Sequence, residues 1–452
     1  MGGSQVWFAL RLPTSTRGNH MVRARGLIVL TAATLVAFAC GGGTSGGGTT
    51  KGTIKIGSDL PTTCTSGGKG AENGIKFAVT QKPTVEGFTI QFQGFDDCRQ
   101  GSYNADAGVD NVRKMLDDSA FLGMIGPYNS AVAKAEIPIA APKSFVMISP
   151  ANTNPCLTKE VPSICNGPTG YHPGPLRAGN PNNYWRVVTT DDYQGPAMAT
   201  YAYTELKLTK VAVLDDSTTF GVGIAGAFAD KFKSLGGTVV KTASYKKDQT
   251  SDFKSILLGF KNAQAQGVYV GGTTDQNACI PRKQMKDIGW DAPFMGGDGI
   301  EESDCVNQSA GNELNVYATS AGADATKVAS AAQAIADFKK QFTGPNDFGG
   351  YTMQAYDATN VLMTAIGNAI KANGGNKPSR KQVRDQMAKI KGFQGVIGTY
   401  DFNEQGDTSL KIVSVYVVQN APDPTKTSGV CGSTQKNLCF VWKAQFDFAK
   451  VS

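Results

Sequence analysis

Between Thr53 and Gly299 the chain runs twice through one pattern: a short apolar run closed by turn residues, then a stretch of helical spacing. The runs TIKIGSDL, FTIQFQGF, AFLGMIG and FVMISP form a first series. KVAVLDD, TVVKTASY, GVYVGG and PFMGGDG form a second, beginning near Tyr184. Runs that are apolar throughout, rather than alternating, suit strands covered on both faces, and such strands need helices on each side of a parallel sheet. Ala105, Val109, Val112 and Leu116 keep helical spacing in one intervening segment, and Phe253, Ile256, Leu257 and Phe260 do so in another. The pattern predicts an α/β protein of two doubly wound lobes with parallel central sheets. Two late helical stretches, Lys327 to Phe342 and Tyr351 to Ala372, have no strand between them and are read as returning to the first lobe. The N-terminal lobe is thus assigned residues 53–190 plus 322–400, and the C-terminal lobe 191–321 plus 401–452, joined by a multi-strand hinge. In open sheets of this kind ligands bind beyond the carboxyl ends of the strands, so two facing lobes would make a cleft there.

Residues 1–39 read as an export signal. Arg23 and Arg25 precede an apolar core from Leu27 to Phe38; at about 12 residues it is too short to span a bilayer. Residues 1–20 are mixed and polar, and a start at Met21 gives a signal of conventional length. The core ends in VAFAC, which resembles a bacterial lipobox apart from Ala37, where leucine is usual. That resemblance implies acylation of Cys40, a glycine-rich tether over residues 40–52, and a protein lipid-anchored at the outer face of the cytoplasmic membrane or in the periplasm. Ala37-Phe38-Ala39 is also an A-x-A site for ordinary signal peptidase, which would release a soluble protein. Of nine cysteines, setting Cys40 aside leaves an even number, as disulfides in an oxidising compartment require. Pairing of sequence neighbours gives Cys64–Cys98, Cys156–Cys165, Cys279–Cys305 and Cys431–Cys439. None of these couples has the C-x-x-C spacing of a zinc or redox site.

Composition removes several classes of function. Without the first 39 residues, which hold four arginines and no acids, basic and acidic residues nearly balance, so nothing points to nucleic acid. His172 is then the sole histidine, which removes most histidine-based catalysis and metal binding. No phosphate-binding glycine loop, G-x-S-x-G elbow or H-E-x-x-H helix is present, so a secreted hydrolase has no support, and neither a cofactor nor a metal is expected. Asp96 and Asp97, at a strand end, read as a turn or helix-capping pair rather than catalytic carboxylates. Residues 159–183, rich in proline, glycine and asparagine, read as a long loop stapled by Cys156 and Cys165.

The segment MIGPYNSAVAKAEIPIAAPKSFVMISPANTNPCLT, with Asp96-Asp97, TTDDYQGP, LDDSTTFGVG, VYVGG, FMGGDG and YTMQAYDA in the same order, resembles the branched-chain amino-acid-binding proteins of ABC transporters, of the type I periplasmic binding protein fold. The resemblance covers Thr53 to about Asp407. It implies a non-enzymatic, monomeric receptor that closes on an amino acid and passes it to an ABC permease. It also implies that the ligand carboxylate meets Ser130, Ala151 and Thr153, and the ligand ammonium Asp298, where the family has a glutamate. Capping of a helix would equally explain Ser130, and a D-G turn would explain Asp298. Tyr128, Asn129, Phe220, Thr273 and Tyr351 fall at positions of the side-chain pocket. Phe220 and Tyr351 could instead pack a lobe interface. Gly67 and Thr273 stand where leucine-type binders present tyrosines, which implies a larger, more polar pocket. Relatives that bind an amide, urea or a carboxylic acid, and sensory ectodomains, share these features and remain alternatives.

Overall fold

The computed structural model describes residues 50–450, apart from Gly311, Glu313, residues 422–426 and Lys436. The export signal and Cys40 lie outside the described residues. Strands Thr53–Leu60, Phe88–Asp96, Phe121–Ile125 and Val146–Ser149 form where the first apolar runs stand, and the interior positions Ile54, Ile56, Met124, Ile125 and Ile148 are fully buried. In the sheet their order is Thr84–Val85, Phe88–Asp96, Thr53–Leu60, Phe121–Ile125, Val146–Ser149, Tyr184–Arg186. Neighbours run parallel except at the short Thr84–Val85 edge. Tyr184–Arg186 therefore completes the first sheet and does not open the second series.

The second sheet has the order Thr238–Ser244, Lys210–Asp215, Val268–Gly271, Phe294–Gly296, Val316–Ser320, Ile412–Asn420, Leu438–Asp447. Its first five strands are parallel, but Ile412–Asn420 and Leu438–Asp447 join antiparallel, so this sheet is mixed. The last two strands are neighbours in sequence, with no helix among the described residues between them, and without a crossover adjacent strands can pair only antiparallel.

Helices Ala332–Gln341 and Thr352–Ala372 lie in one hydrophobic core with the first sheet, where Phe338, Leu362 and Ile366 meet Ile54, Ile56 and Phe77. A separate core gathers Leu214, Leu257, Phe260, Phe294 and Val418 around the second sheet. Helix Ala105–Asp117 is turned relative to its apolar pattern. Its buried stripe is Ala107, Gly108, Asn111, Val112 and Met115, and Val109 is only half-buried. The Asn111 amide causes the rotation, because it donates to Asp59 Oδ1 at 2.7 Å and to the Asp96 carbonyl at 3.0 Å.

Residues 159–183 are not a plain loop. They form helical turns at Pro162–Cys165 and Pro173–Arg177, and Ile164, Tyr171 and Leu176 are buried against helix Ser130–Ala140 and Ala227. Disulfides join Cys64–Cys98, Cys156–Cys165, Cys279–Cys305 and Cys431–Cys439.

Candidate functional site

The carboxyl ends of the parallel strands in both sheets open onto one cavity. The first sheet contributes Thr65, Tyr128, Asn129, Ser130, Ala151 and Thr153. The second contributes Phe220, Thr273, Asp275, Asp298, Gly299 and Glu302. Each group follows a strand end, as the crevice rule for open α/β sheets requires.

On the first wall, helix Ser130–Ala140 begins at the cavity, and its N-cap Asn129 makes no side-chain cap bond. Ser130 is thus not the cap of its helix. Its Oγ accepts the Asn154 N–H at 3.4 Å, and the positive end of the helix dipole lies beside it. Ala151 N–H donates to Ser149 Oγ at 3.2 Å, and Asn152 N–H donates to the same oxygen at 2.9 Å. The Ala151 N–H is therefore already engaged by Ser149. The Thr153 carbonyl accepts the Asp191 N–H at 2.9 Å. The loop carrying Thr153 is fastened from behind by Arg186, which is fully buried. Its guanidinium donates to the carbonyls of Asn152 at 3.2 Å and Asn154 at 2.7 Å, to Asp407 Oδ1 at 2.7 Å, and to Thr158 Oγ1. Burial alone would raise the Asp407 carboxyl, but the charge and hydrogen bond of Arg186, with smaller help from Lys159 and Thr158, together hold that group below its ordinary range.

On the second wall, Asp298 opens the turn after strand Phe294–Gly296 and is 8 % exposed. Its Oδ1 accepts Gln194 Nε2 at 2.8 Å and its Oδ2 accepts the Tyr351 hydroxyl at 2.7 Å. Burial raises its pKa to about 6 against the opposing pull of these bonds. Phe220 begins the helix Thr219–Ser234, which sits hard against strand Val268–Gly271; a Cβ at Gly271 would lie 2.1 Å from the Gly221 carbonyl. This close approach sets the Phe220 ring beside Gly299. Glu302 Oε2 accepts the Thr274 hydroxyl at 2.9 Å and Oε1 the Tyr128 hydroxyl at 3.3 Å. Burial first, then the nearby Asp304 charge, pushes the Glu302 carboxyl well above its ordinary range.

The two sides touch over the cavity. The hairpin Cys98–Tyr103, tied by Cys64–Cys98, places the Tyr103 N–H on Asp275 Oδ2 at 3.0 Å and the Ser102 hydroxyl on the Asp275 carbonyl at 3.1 Å. Ser66 N–H donates to Asp304 Oδ2 at 2.7 Å.

Tyr128, Asn129, Ser130, Ala151, Thr153, Phe220, Thr273 and Asp298 thus share one cavity. Tyr351 stands behind that wall as the donor that orients Asp298, and its hydroxyl also accepts the Ala321 N–H at 3.1 Å. The sequence reading passed over Thr65, Asp275, Gly299 and Glu302 in the lining, and Arg186 and Gln194 in its support. The strand-end rule applied to TTDQ after GVYVGG would have found Asp275. Among the described residues, no group of three or more His, Cys, Asp or Glu is arranged to hold a metal ion, and no helix is long and apolar enough to cross a membrane.

Two α/β lobes meeting at strand ends over an acid-lined cavity define a solute receptor by architecture. Residues 53–422 match the model of the periplasmic binding protein family, and the chain belongs to that family. It is similar to the Leu/Ile/Val-binding protein homolog 1 of Brucella abortus, 27 % identical over 357 residues that cover 78 % of this chain and 86 % of the relative. It is also similar to homolog 2 of the same organism, 28 % identical over 371 residues covering 80 % and 90 %. In fold it is similar to a leucine binding protein of Thermotoga maritima, with a TM-score of 0.71, 24 % identity and coverage of 87 % of this chain and 99 % of that one. A solute binding protein of Rhodopseudomonas palustris in complex with 3,4-dihydroxybenzoic acid is similar in fold too, with a TM-score of 0.66, 19 % identity and coverage of 87 % and 97 %.

Proposed function

We propose that this protein is a lipid-anchored, non-enzymatic receptor that captures an α-amino acid between its lobes and delivers it to an ABC permease. One observation carries the reading. A buried carboxylate, Asp298, shares a single cavity with the hydroxyl and helix-start groups of Ser130 and Thr153, so an ammonium and a carboxylate of one molecule have complementary partners. The names of the Brucella and Thermotoga relatives support the same ligand class. Ser130, Ala151 and Thr153 would take the carboxylate, Asp298 the ammonium, and Phe220 the side chain's apolar part. Contacts from both lobes favour the closed state, and only that difference in affinity drives closure.

Isothermal calorimetry with a panel of α-amino acids tests the assignment. Asp298→Asn should abolish binding, since stranding a buried ammonium costs about 3–5 kcal/mol; unchanged affinity would overturn it. A second reading, an aromatic carboxylic acid, has the Rhodopseudomonas complex in its favour. Against it, the lining holds three carboxylates and no lysine, arginine or histidine. A benzoate would leave Asp298 with no cation. Mass spectrometry of the mature N-terminus tests the anchor, which requires an acylated Cys40.

A further inference from the structure

The α-ammonium of an amino acid needs one carboxylate, and this cavity has three. Two of them are separated by a pair of tyrosines: Tyr351 gives its hydroxyl to Asp298 and Tyr128 gives its own to Glu302, with the two rings edge to face at 6.1 Å. The cavity therefore has two acidic poles. Asp275 belongs to the Glu302 pole, since it lines the same cavity and its charge raises the Glu302 carboxyl further.

The second pole holds acceptors with nothing to accept. Asp275 Oδ1 and Asn129 Oδ1 have no hydrogen-bond partner, although these residues are only 5 % and 7 % exposed and both line the cavity. Unpaired buried acceptors are costly, and a site rich in them is built to receive a donor. Asp304, Asp275 and Glu301, all acidic, act on Glu302 by their charge. Asp275 feels one cation, Lys247, whose ammonium is already engaged by the Gly101 carbonyl at 2.7 Å and by Ser102 Oγ. Gly67 keeps the pole open. A Cβ there would lie 2.3 Å from both Glu302 Oε1 and the Tyr128 hydroxyl, so any side chain at this position would displace the acid.

We infer that the ligand is a dibasic α-amino acid, whose α-ammonium meets Asp298 and whose side-chain ammonium or guanidinium meets Glu302, Asp275 and Asn129. The inference rests on the amino-acid reading above and specifies its substrate class. A neutral side chain would leave Glu302 and Asp275 buried without a counter-charge. A cationic one supplies the missing donors, and its aliphatic stem can lie against Phe220.

Calorimetry of the full chain with lysine, ornithine and arginine, against norleucine and leucine, decides the matter, because norleucine closely matches the lysine chain without its charge. At least one dibasic ligand should bind about 30-fold or more tightly than norleucine, the effect of one close buried charge pair. Glu302→Gln should remove most of that preference, read as the ratio of dibasic to norleucine affinity, with thermal melts confirming that the variant folds; Asp275→Asn is the parallel variant. Norleucine or leucine binding as tightly as every dibasic ligand would overturn the inference and leave the amino-acid reading standing. A Glu302→Gln loss equal for charged and neutral ligands would overturn it as well. Failure of every α-amino acid to bind would overturn both.

Discussion

On the first wall the cavity meets hydroxyls and a helix start, and the buried cation behind that wall, Arg186, is turned away into carbonyls and Asp407. On the second wall it meets three carboxylates, each of which takes hydroxyl or amide donors and none of which is paired with a lysine or arginine. Neutral dipoles fixed by a hidden charge can receive an anion without adding a mobile cation to the site. Carboxylates without a cation make the opposite wall dependent on what the ligand brings. Geometry should thus be the sensitive property of the first wall, and ligand charge and pH the sensitive properties of the second.

Arg186→Met breaks the comparison most severely. It leaves Asp407 buried and unpaired and frees the carbonyls of the Thr153 loop, which should lower stability by about 3–5 kcal/mol. Urea unfolding should show a lower midpoint at unchanged slope; an unchanged midpoint would mean the first wall does not depend on its buried pair.

The second wall should respond to acid. Asp298 must be ionised to hold an ammonium, so with its pKa at about 6 amino-acid affinity should fall by about tenfold from pH 7 to pH 5. Its effect on the ligand-free protein has the other sign. Because the folded pKa lies above the unfolded value of 3.8, the folded state binds the proton more tightly. That contribution is fully present below the unfolded pKa and is lost as pH rises through the folded one. Binding calorimetry and ligand-free melts across this range should therefore run in opposite directions, and Asp298→Asn should flatten this part of the melt profile.

Ser130→Ala is the mildest change. It deletes one hydroxyl from the neutral wall and should weaken binding by about 1 kcal/mol, or roughly fivefold, with an unchanged melting temperature. A large fall in stability instead would make Ser130 a structural residue.

The strands were legible because both faces are buried, which writes an unbroken apolar run into the sequence. That a cleft lies beyond the strand ends followed from topology, whereas Ser130, Thr153 and Asp298 were singled out by the family resemblance, since locally each also reads as a cap or turn residue. What stayed hidden depends on partners far along the chain. Arg186 and Asp407 are 221 residues apart, and neither looks unusual locally. Asp275 and Glu302 have the sequence appearance of exposed turn acids, yet both are buried and each meets a partner from the facing lobe, Tyr103 and Tyr128. Asn111 defeated the apolar periodicity of its helix because a polar side chain with two buried partners counts as interior. The antiparallel ending of the second sheet was missed because strand composition does not encode direction.

The first hydrophobic core joins strands that begin at Thr53 to helices that end beyond Val383, with the whole parallel part of the second sheet lying between them in the chain. A chain translated and exported from its N-terminus would thus present one face of the first sheet bare until its last third arrives. Such a high sequence separation predicts slow assembly and a window of exposed apolar surface. The second sheet's five parallel strands form from one continuous segment and can close first. The lobe that is second in the sequence would then be first to fold.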